Sequence, residues 1–526
     1  MMNKARAILF LLIFCLLFIA CAQVRSINGG EKDLVAPKLL NASPPSASLH
    51  FNSNTIVLNF DEYIQLNNIS QELIVSPPLA HPPKVKVKHK SVVVELEEDL
   101  IPNTTYMFNF GDGIIDVNEN NKATDMVYVF STGNFIDSLE VQGAIQNAFE
   151  DSPYSGIKVM LFENDSDFFS KKTLPLYFSK TKEDGTFVLP YLREGNFFIY
   201  ALDDENSNYK WDAGEAFATS DSDIHVSAND SINHLLFASV PLPAKPTITD
   251  YKTDSTGTLS FTLDSHFHPV EVASLSGHET IQYSEDDSIF ILLNATPANK
   301  VEQLRIFKKD VISDTVDIPF FSSPFENAFE LTTRNTKKMR VQDSLLIHCS
   351  QLVKVNDMSA LQLKQDSLLI SSKLIATQNP SNFLCDAKLL PGKNFTMRLI
   401  PGALINSFGA TNDTLDFSFS TFRKEELGLL QFELTQLDST LNYHFFLFEK
   451  SGLEYDRKFD VKNGVLQISD LPAGDYTAKI LSDKNNNRLF DPAKFEPYTP
   501  SELMYVFPEK ISVRANWEVK LKWVLK

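Results

Sequence analysis

Thr55-Ile56-Val57-Leu58-Asn59-Phe60 is a short alternating run, the period of a strand with one face on a core. Ser91-Val92-Val93-Val94-Glu95-Leu96 and Met126-Val127-Tyr128-Val129-Phe130 read the same way. Such runs recur about every eight to twelve residues, punctuated by Asn, Asp, Pro and Ser, and no long segment carries a helical period. The pattern predicts an all-β chain of tandem β-sandwiches.

Composition sets the outer bounds. A chain of 526 residues that is 43% hydrophobic can bury three to five separate cores. Lys plus Arg number 48 against 67 for Asp plus Glu, a net charge of −19 that repels phosphate backbones and excludes nucleic acid as the expected partner. Only 19 residues are Gly, which disfavours glycine-rich nucleotide-binding loops, while 41 Phe and 15 Tyr suit strands.

Lys4 and Arg6 precede an unbroken apolar run from Ala7 to Ala20. That run is short for a permanent membrane span, and the basic-then-apolar order is that of a secretory signal peptide, residues 1–20. It ends Leu17-Phe18-Ile19-Ala20-Cys21, which resembles the lipobox of bacterial lipoproteins, with Phe18 where Leu is more usual. The resemblance implies cleavage before Cys21, acylation of Cys21 by chains such as palmitate, and a lipidated tether over 21–35. An ordinary signal peptide with a chance Cys is the other reading, but its cleavage site wants two small residues and Phe18 is not small. Residue 22 is Ala, not the Asp that resembles an inner-membrane retention signal, so the expected location is the cell outer membrane. With Cys15 in the leader and Cys21 acylated, Cys349 and Cys385 remain. An oxidising compartment permits a disulfide between them, and two separate buried thiols are the alternative.

Internal repeats extend the reading. At an offset of 289, Leu100-Ile101-Pro102-Asn103-Thr104-Thr105-Tyr106 falls on Leu389-Leu390-Pro391-Gly392-Lys393-Asn394-Phe395, and Phe130-Ser131-Thr132 falls on Phe419-Ser420-Thr421. At an offset of 279, Asp184-Gly185-Thr186-Phe187 with Gly195-Asn196-Phe197 falls on Asn463-Gly464-Val465-Leu466 with Gly474-Asp475-Tyr476. A duplicated two-domain unit with an unpaired β segment between the copies accounts for both.

The first member of that unit resembles the bacterial Ig-like domain of the S-layer-protein type. The likeness rests on Ala42-Ser43-Pro44-Pro45, Ile56 to Glu62, Leu100 to Tyr106 and the closing Phe130-Ser131-Thr132. Residues 36–133 form that domain, and 331–423 a weaker second one with Ser350-Gln351 near the place of Asp61-Glu62. Residues 134–240 and 424–526 resemble prealbumin-like sandwiches of the carboxypeptidase-regulatory and Cna-B type, marked by the run Asp184 to Phe197. Residues 241–330 are read as a β-sandwich of unassigned type. The resemblances imply spacers, stalks or binding modules rather than an enzyme.

One loop has ligand spacing. Counted from Asp204, oxygen side chains fall at positions 1, 3, 5, 9 and 12 as Asp204, Asn206, Asn208, Asp212 and Glu215, with the Lys210 carbonyl at 7. That is the EF-hand spacing for structural calcium, with Tyr209 where such loops have Gly. Asp483-Lys484-Asn485-Asn486-Asn487 to Asp491 keeps positions 1, 3, 5 and 9 but has Lys494 at 12, and Asp116 to Asn121 starts alike and then loses the pattern. The competing reading is that Asp and Asn cap tight turns through their own hydrogen bonds. His266 and His268 share a strand face with His278 nearest in sequence, short of a zinc set. No HExxH, G-x-S-x-G or P-loop motif occurs.

Finally, Asp followed by Ser or Thr and then Ala, Ile, Leu, Val, Met or Thr occurs at Asp137, Asp230, Asp254, Asp287, Asp314, Asp343, Asp366, Asp413 and Asp438, where composition predicts roughly two or three. The triplet resembles an O-glycosylation acceptor motif of some diderm bacteria, and strand-starting turns are its plain alternative. Together these features predict a non-enzymatic envelope lipoprotein, a scaffold or adhesion and display protein. Its expected partners are the membrane through the lipid anchor, and envelope proteins or glycans. The alternative is a glycan-binding accessory protein of a polysaccharide-uptake system.

Overall fold

The computed structural model describes residues 33–525 apart from short stretches, of which 229–232, 244–247, 254–258, 264–269, 294–300, 320–328, 334–336, 378–380, 451–458 and 461–463 are the longer ones. The leader with Cys21, and His266, His268 and His278, lie outside the described residues. Strand makes up 53% of the chain and helix 3%, so the protein is all-β, as the alternation requires. It divides into two compact units, residues 1–137 and 138–526.

The first unit is a sandwich. One sheet runs Leu39–Ser43, Thr55–Phe60, Ser91–Glu95, Lys84–Lys88, and the other Ile74–Ser76, Thr105–Asn109, Val127–Ser131. The strand Thr55–Phe60 buries every second residue, Ile56, Leu58 and Phe60, at 2% exposure or less. Phe130 sits at the centre of the core, stacked on Phe51 at 3.8 Å and on Tyr106 at 5.5 Å.

The second unit holds four further hydrophobic cores, at 141–238, 259–318, 329–419 and 430–525. The core at 329–419 repeats the topology of the first unit. Its sheet Leu331–Thr333, Leu345–Cys349, Asn382–Ala387, Ser372–Ala376 has the same spatial order, and the small pair Val353–Val355 with Leu404–Asn406 repeats Ile64–Leu66 with Ile114–Asp116. The cores at 141–238 and 430–525 match each other. In each, the last strand lies parallel on the first: Asn233–Ala238 on Leu139–Asn147, and Glu518–Val524 on Leu427–Thr435. In each, a turn glycine has positive φ, Gly185 at 76° and Gly464 at 70°. A Cβ there would meet a backbone carbonyl at 2.6 and 2.8 Å, so these turns require Gly. The core at 259–318 has two sheets of four and three strands.

Residues 134–240 and 424–526 touch although 241–423 separate them along the chain, as described below. Cys349 and Cys385 are both free and buried. They lie on neighbouring antiparallel strands, but Cys385 faces Leu345, four residues from Cys349. That places the two Cα atoms about 13 Å apart along the strands, beyond the ~7 Å a disulfide spans. Burial pushes both thiols up to about 12, so they are packing groups.

Candidate functional site

The strand Gly195–Leu202 pairs with Lys158–Phe162 so that Lys158 faces Leu202, and the acidic loop begins two residues on. Lys158 therefore lies beneath the loop. Its Nζ donates to the Asp204 carbonyl at 2.7 Å, Asp204 Oδ2 at 2.9 Å and Ser207 Oγ at 3.0 Å, and sits 5.4 Å from the Tyr209 ring centre. The Lys158 and Asp204 side chains are 7% and 0% exposed. All three ammonium donors thus have oxygen partners, much as a small cation would.

The rest of the loop is closed on itself. Asp204 Oδ1 and Oδ2 also accept the Asn208 and Tyr209 N–H groups, at 3.1 and 2.9 Å. Asn206 and Asn208 turn their Oδ1 atoms to the backbone N–H two residues on, at 3.0 and 2.6 Å. Both give their Nδ2 to Asp212 Oδ2 at 2.8 Å. Glu215 Oε2 accepts the Asp212 N–H at 2.9 Å. Tyr209, at φ 59°, adopts the left-handed conformation usually left to Gly, with its ring held against Phe178 and under Lys158.

The second copy repeats the cage. Asp483, Asn485, Asn487 and Asp491 stand 279 residues after Asp204, Asn206, Asn208 and Asp212. Asn485 and Asn487 again bond the N–H two residues on, and both give Nδ2 to Asp491. Asn486 and Arg488 are left-handed where Ser207 and Tyr209 are. His444 faces Leu481 as Lys158 faces Leu202, and its Nε2 lies 2.9 Å from Asp483 Oδ2 without hydrogen-bond alignment. Lys494 at position 12 supplies no oxygen side chain. Glu502 takes over from a different strand end, accepting the Lys484 and Asp491 N–H groups at 2.6 and 3.0 Å. Burial, opposed by these N–H donors, raises the carboxyl pKa of both Glu215 and Glu502. In the first unit the Asp116 carboxylate likewise accepts the Glu119, Asn120 and Asn121 N–H groups.

Calcium fits these residues poorly. In the first copy the first ligand already holds the Lys158 ammonium, and in both copies the asparagine oxygens at positions 3 and 5 serve the backbone. The loops have the geometry of Asx turns, locked in the first copy by an internal cation. Chelator is therefore expected to leave amide exchange at Lys158–Phe162 and Gly195–Leu202 unchanged in the full chain. A clear loss of protection there on chelation, reversed by calcium, would reinstate the ion.

What the loops position is a contact between the two copies. Trp211, from the first loop, stacks on Phe495 at 4.1 Å and 17°. Phe168, Phe169 and Phe217 surround Phe495 at 5.7, 5.1 and 5.4 Å. Phe490, from the second loop, meets Phe149 at 5.1 Å. Ala493 N–H donates to Ser239 Oγ, Met504 N–H to the Ala148 carbonyl and Val506 N–H to Asp151 Oδ2, at 2.8, 2.9 and 3.0 Å. The sequence reading did not foresee this contact. Its only trace is that aromatic residues flank both acidic loops.

Residues 33–132 match the family described as bacterial Ig-like domain. No curated protein matches the chain. Among solved structures, the Bacillus anthracis TIE protein aligns at 10% identity and a TM-score of 0.14, covering 95% of this chain and 76% of that one. The major pilin subunit of Bacillus cereus aligns at 10% identity and 0.14, over 74% and 99%. The surface layer protein SbsC, domains 1–6, aligns at 9% and 0.15, over 91% and 67%.

Proposed function

We propose that the chain is a non-catalytic, lipid-anchored protein of the bacterial cell envelope, held in the outer membrane by acylated Cys21. Its duplicated sandwiches form a spacer and display scaffold toward envelope proteins or glycans. The observation that carries this reading is how the acidic loops are used. The loops with the strongest ligand spacing spend their polar groups on their own backbone and turn aromatic side chains to the neighbouring sandwich. The bacterial Ig-like match at 33–132 supports a modular envelope role. The lipobox-like Leu17 to Cys21 supports the anchor, since multiple acyl chains at roughly 0.8 kcal/mol per buried CH₂ make a stable one. Among the described residues no helix is long and apolar enough to cross a membrane. The glycan-binding alternative gains little from the tryptophans: Trp211 is stacked on Phe495, Trp523 is 5% exposed, and Trp517 alone stands out at 63%.

The test is labelled palmitate with membrane fractionation in the native host. The wild-type chain should carry label and sediment with outer membranes, and Cys21→Ala should be unlabelled and released. Wild-type chain found in the cytosol with its leader intact would end the proposal.

A further inference from the structure

The nine Asp-Ser/Thr triplets are not used by the reading above. Turn capping is the plain explanation for such steps, and the structure distinguishes where it applies. In three turns the hydroxyl two residues after an Asp caps it. Thr186, Ser359 and Thr440 donate their hydroxyls to Asp184, Asp357 and Asp438 Oδ1 at 2.6, 2.7 and 2.7 Å. One residue after the Asp, the seven triplet hydroxyls among the described residues lie at or near the surface. Ser138, Thr315, Ser344, Ser367, Thr414 and Ser439 are all exposed, and Ser288 is half-buried. The Asp438-Ser439-Thr440 step holds both cases: Thr440 is tied to Asp438, while the Ser439 hydroxyl has no hydrogen-bond partner among the described residues.

The preceding Asp holds the loop in place instead. Asp343 Oδ2 accepts the Arg340 N–H at 2.8 Å, and Asp366 accepts the Asn394 N–H at 3.2 Å and pairs with Lys393 at 2.8 Å. The following residue opens a strand in four cases: Leu139–Asn147, Leu345–Cys349, Leu368–Ile370 and Leu415–Thr421. A fixed acid, an exposed hydroxyl and a strand-opening residue meet in Asp343-Ser344-Leu345 and Asp366-Ser367-Leu368, and the triplet itself recurs in the sequence three to four times more often than composition predicts.

We infer that these hydroxyls, Ser367, Thr414 and Ser439 foremost, are acceptor sites for O-linked glycan. The inference rests on the envelope placement proposed above, because outside the cytoplasm no nucleoside triphosphate is at hand to phosphorylate a hydroxyl. The donor is a glycosyl diphosphate carried on a lipid. The serine or threonine oxygen forms a bond to the anomeric carbon as the bond from that carbon to the diphosphate breaks. The electron pair leaves with the diphosphate, and the hydroxyl proton passes to a base of the transferring enzyme. Nothing is oxidised or reduced.

The test is intact mass and peptide mapping of the full chain from native-host envelopes, with acylation scored on the same sample. Whole sugar residues are expected on peptides bearing Ser367, Thr414 and Ser439. Ser367→Ala, Thr414→Ala and Ser439→Ala should each remove one glycan, and Thr414→Ser should keep it. Bare hydroxyls on an acylated envelope protein would overturn this inference and spare the envelope reading. An unacylated cytosolic chain would overturn both. Glycan on Thr186 or Thr440 instead, or a group other than sugar, would also overturn it.

Discussion

Replacing Lys158 by Met should destabilise the sandwich at 141–238 by about 3–5 kcal/mol, the usual cost of leaving one partner of a buried ion pair alone. The side chain keeps most of its apolar stem and loses its charged end. Asp204, whose carboxylate is fully buried, then faces only two backbone N–H groups with no counter-charge. Several cores in one chain make a global melt hard to interpret. The measurement is therefore amide exchange in the full chain, read at Lys158–Phe162 and Gly195–Leu202. Protection there should fall by roughly two to three and a half orders of magnitude, in line with about 1.4 kcal/mol per tenfold. Adding Asp204→Asn should recover part of it, since Asn keeps an acceptor for the N–H groups and removes the lone charge. Unchanged protection in Lys158→Met would refute the internal-cation account.

The second large effect is expected at Phe495. It is half-buried, yet it is the aromatic group that the first copy encloses with Phe168, Phe169, Trp211 and Phe217. Phe495→Ala should cost about 2–3 kcal/mol, below the 3–5 of a fully enclosed Phe. The loss should fall on coupling between the sandwiches rather than on either core. Trp211 fluorescence should shift to that of a wetter indole, and exchange at Ala493, Met504 and Val506 should speed up while both cores stay protected. Faster exchange within the core strands themselves would instead make Phe495 an ordinary core residue.

The alternation in Thr55–Phe60 and its counterparts was enough to read strands, because a strand's period is local: neighbours along the chain point to opposite faces whatever packs above them. The repeat offsets were equally legible, since Gly185 and Gly464 answer the same backbone need in both copies. The loops were read for spacing, and spacing alone does not tell an ion cage from an Asx cage. The deciding group is Lys158, distant in sequence from Asp204, and its place beneath the loop follows only from strand pairing. The same holds for Glu502, which restores from another strand end the cap that Lys494 fails to supply.

Residue order alone therefore settled the all-β class, the duplication and the ligand-like spacing, each written in side chains within a few positions of one another. Which cation neutralises Asp204, whether Cys349 reaches Cys385, and that two modules far apart in the chain clasp through Phe495 were decided by the tertiary structure. These depend on strand register and docking, and both bring together groups whose separation along the chain carries no signal of their contact.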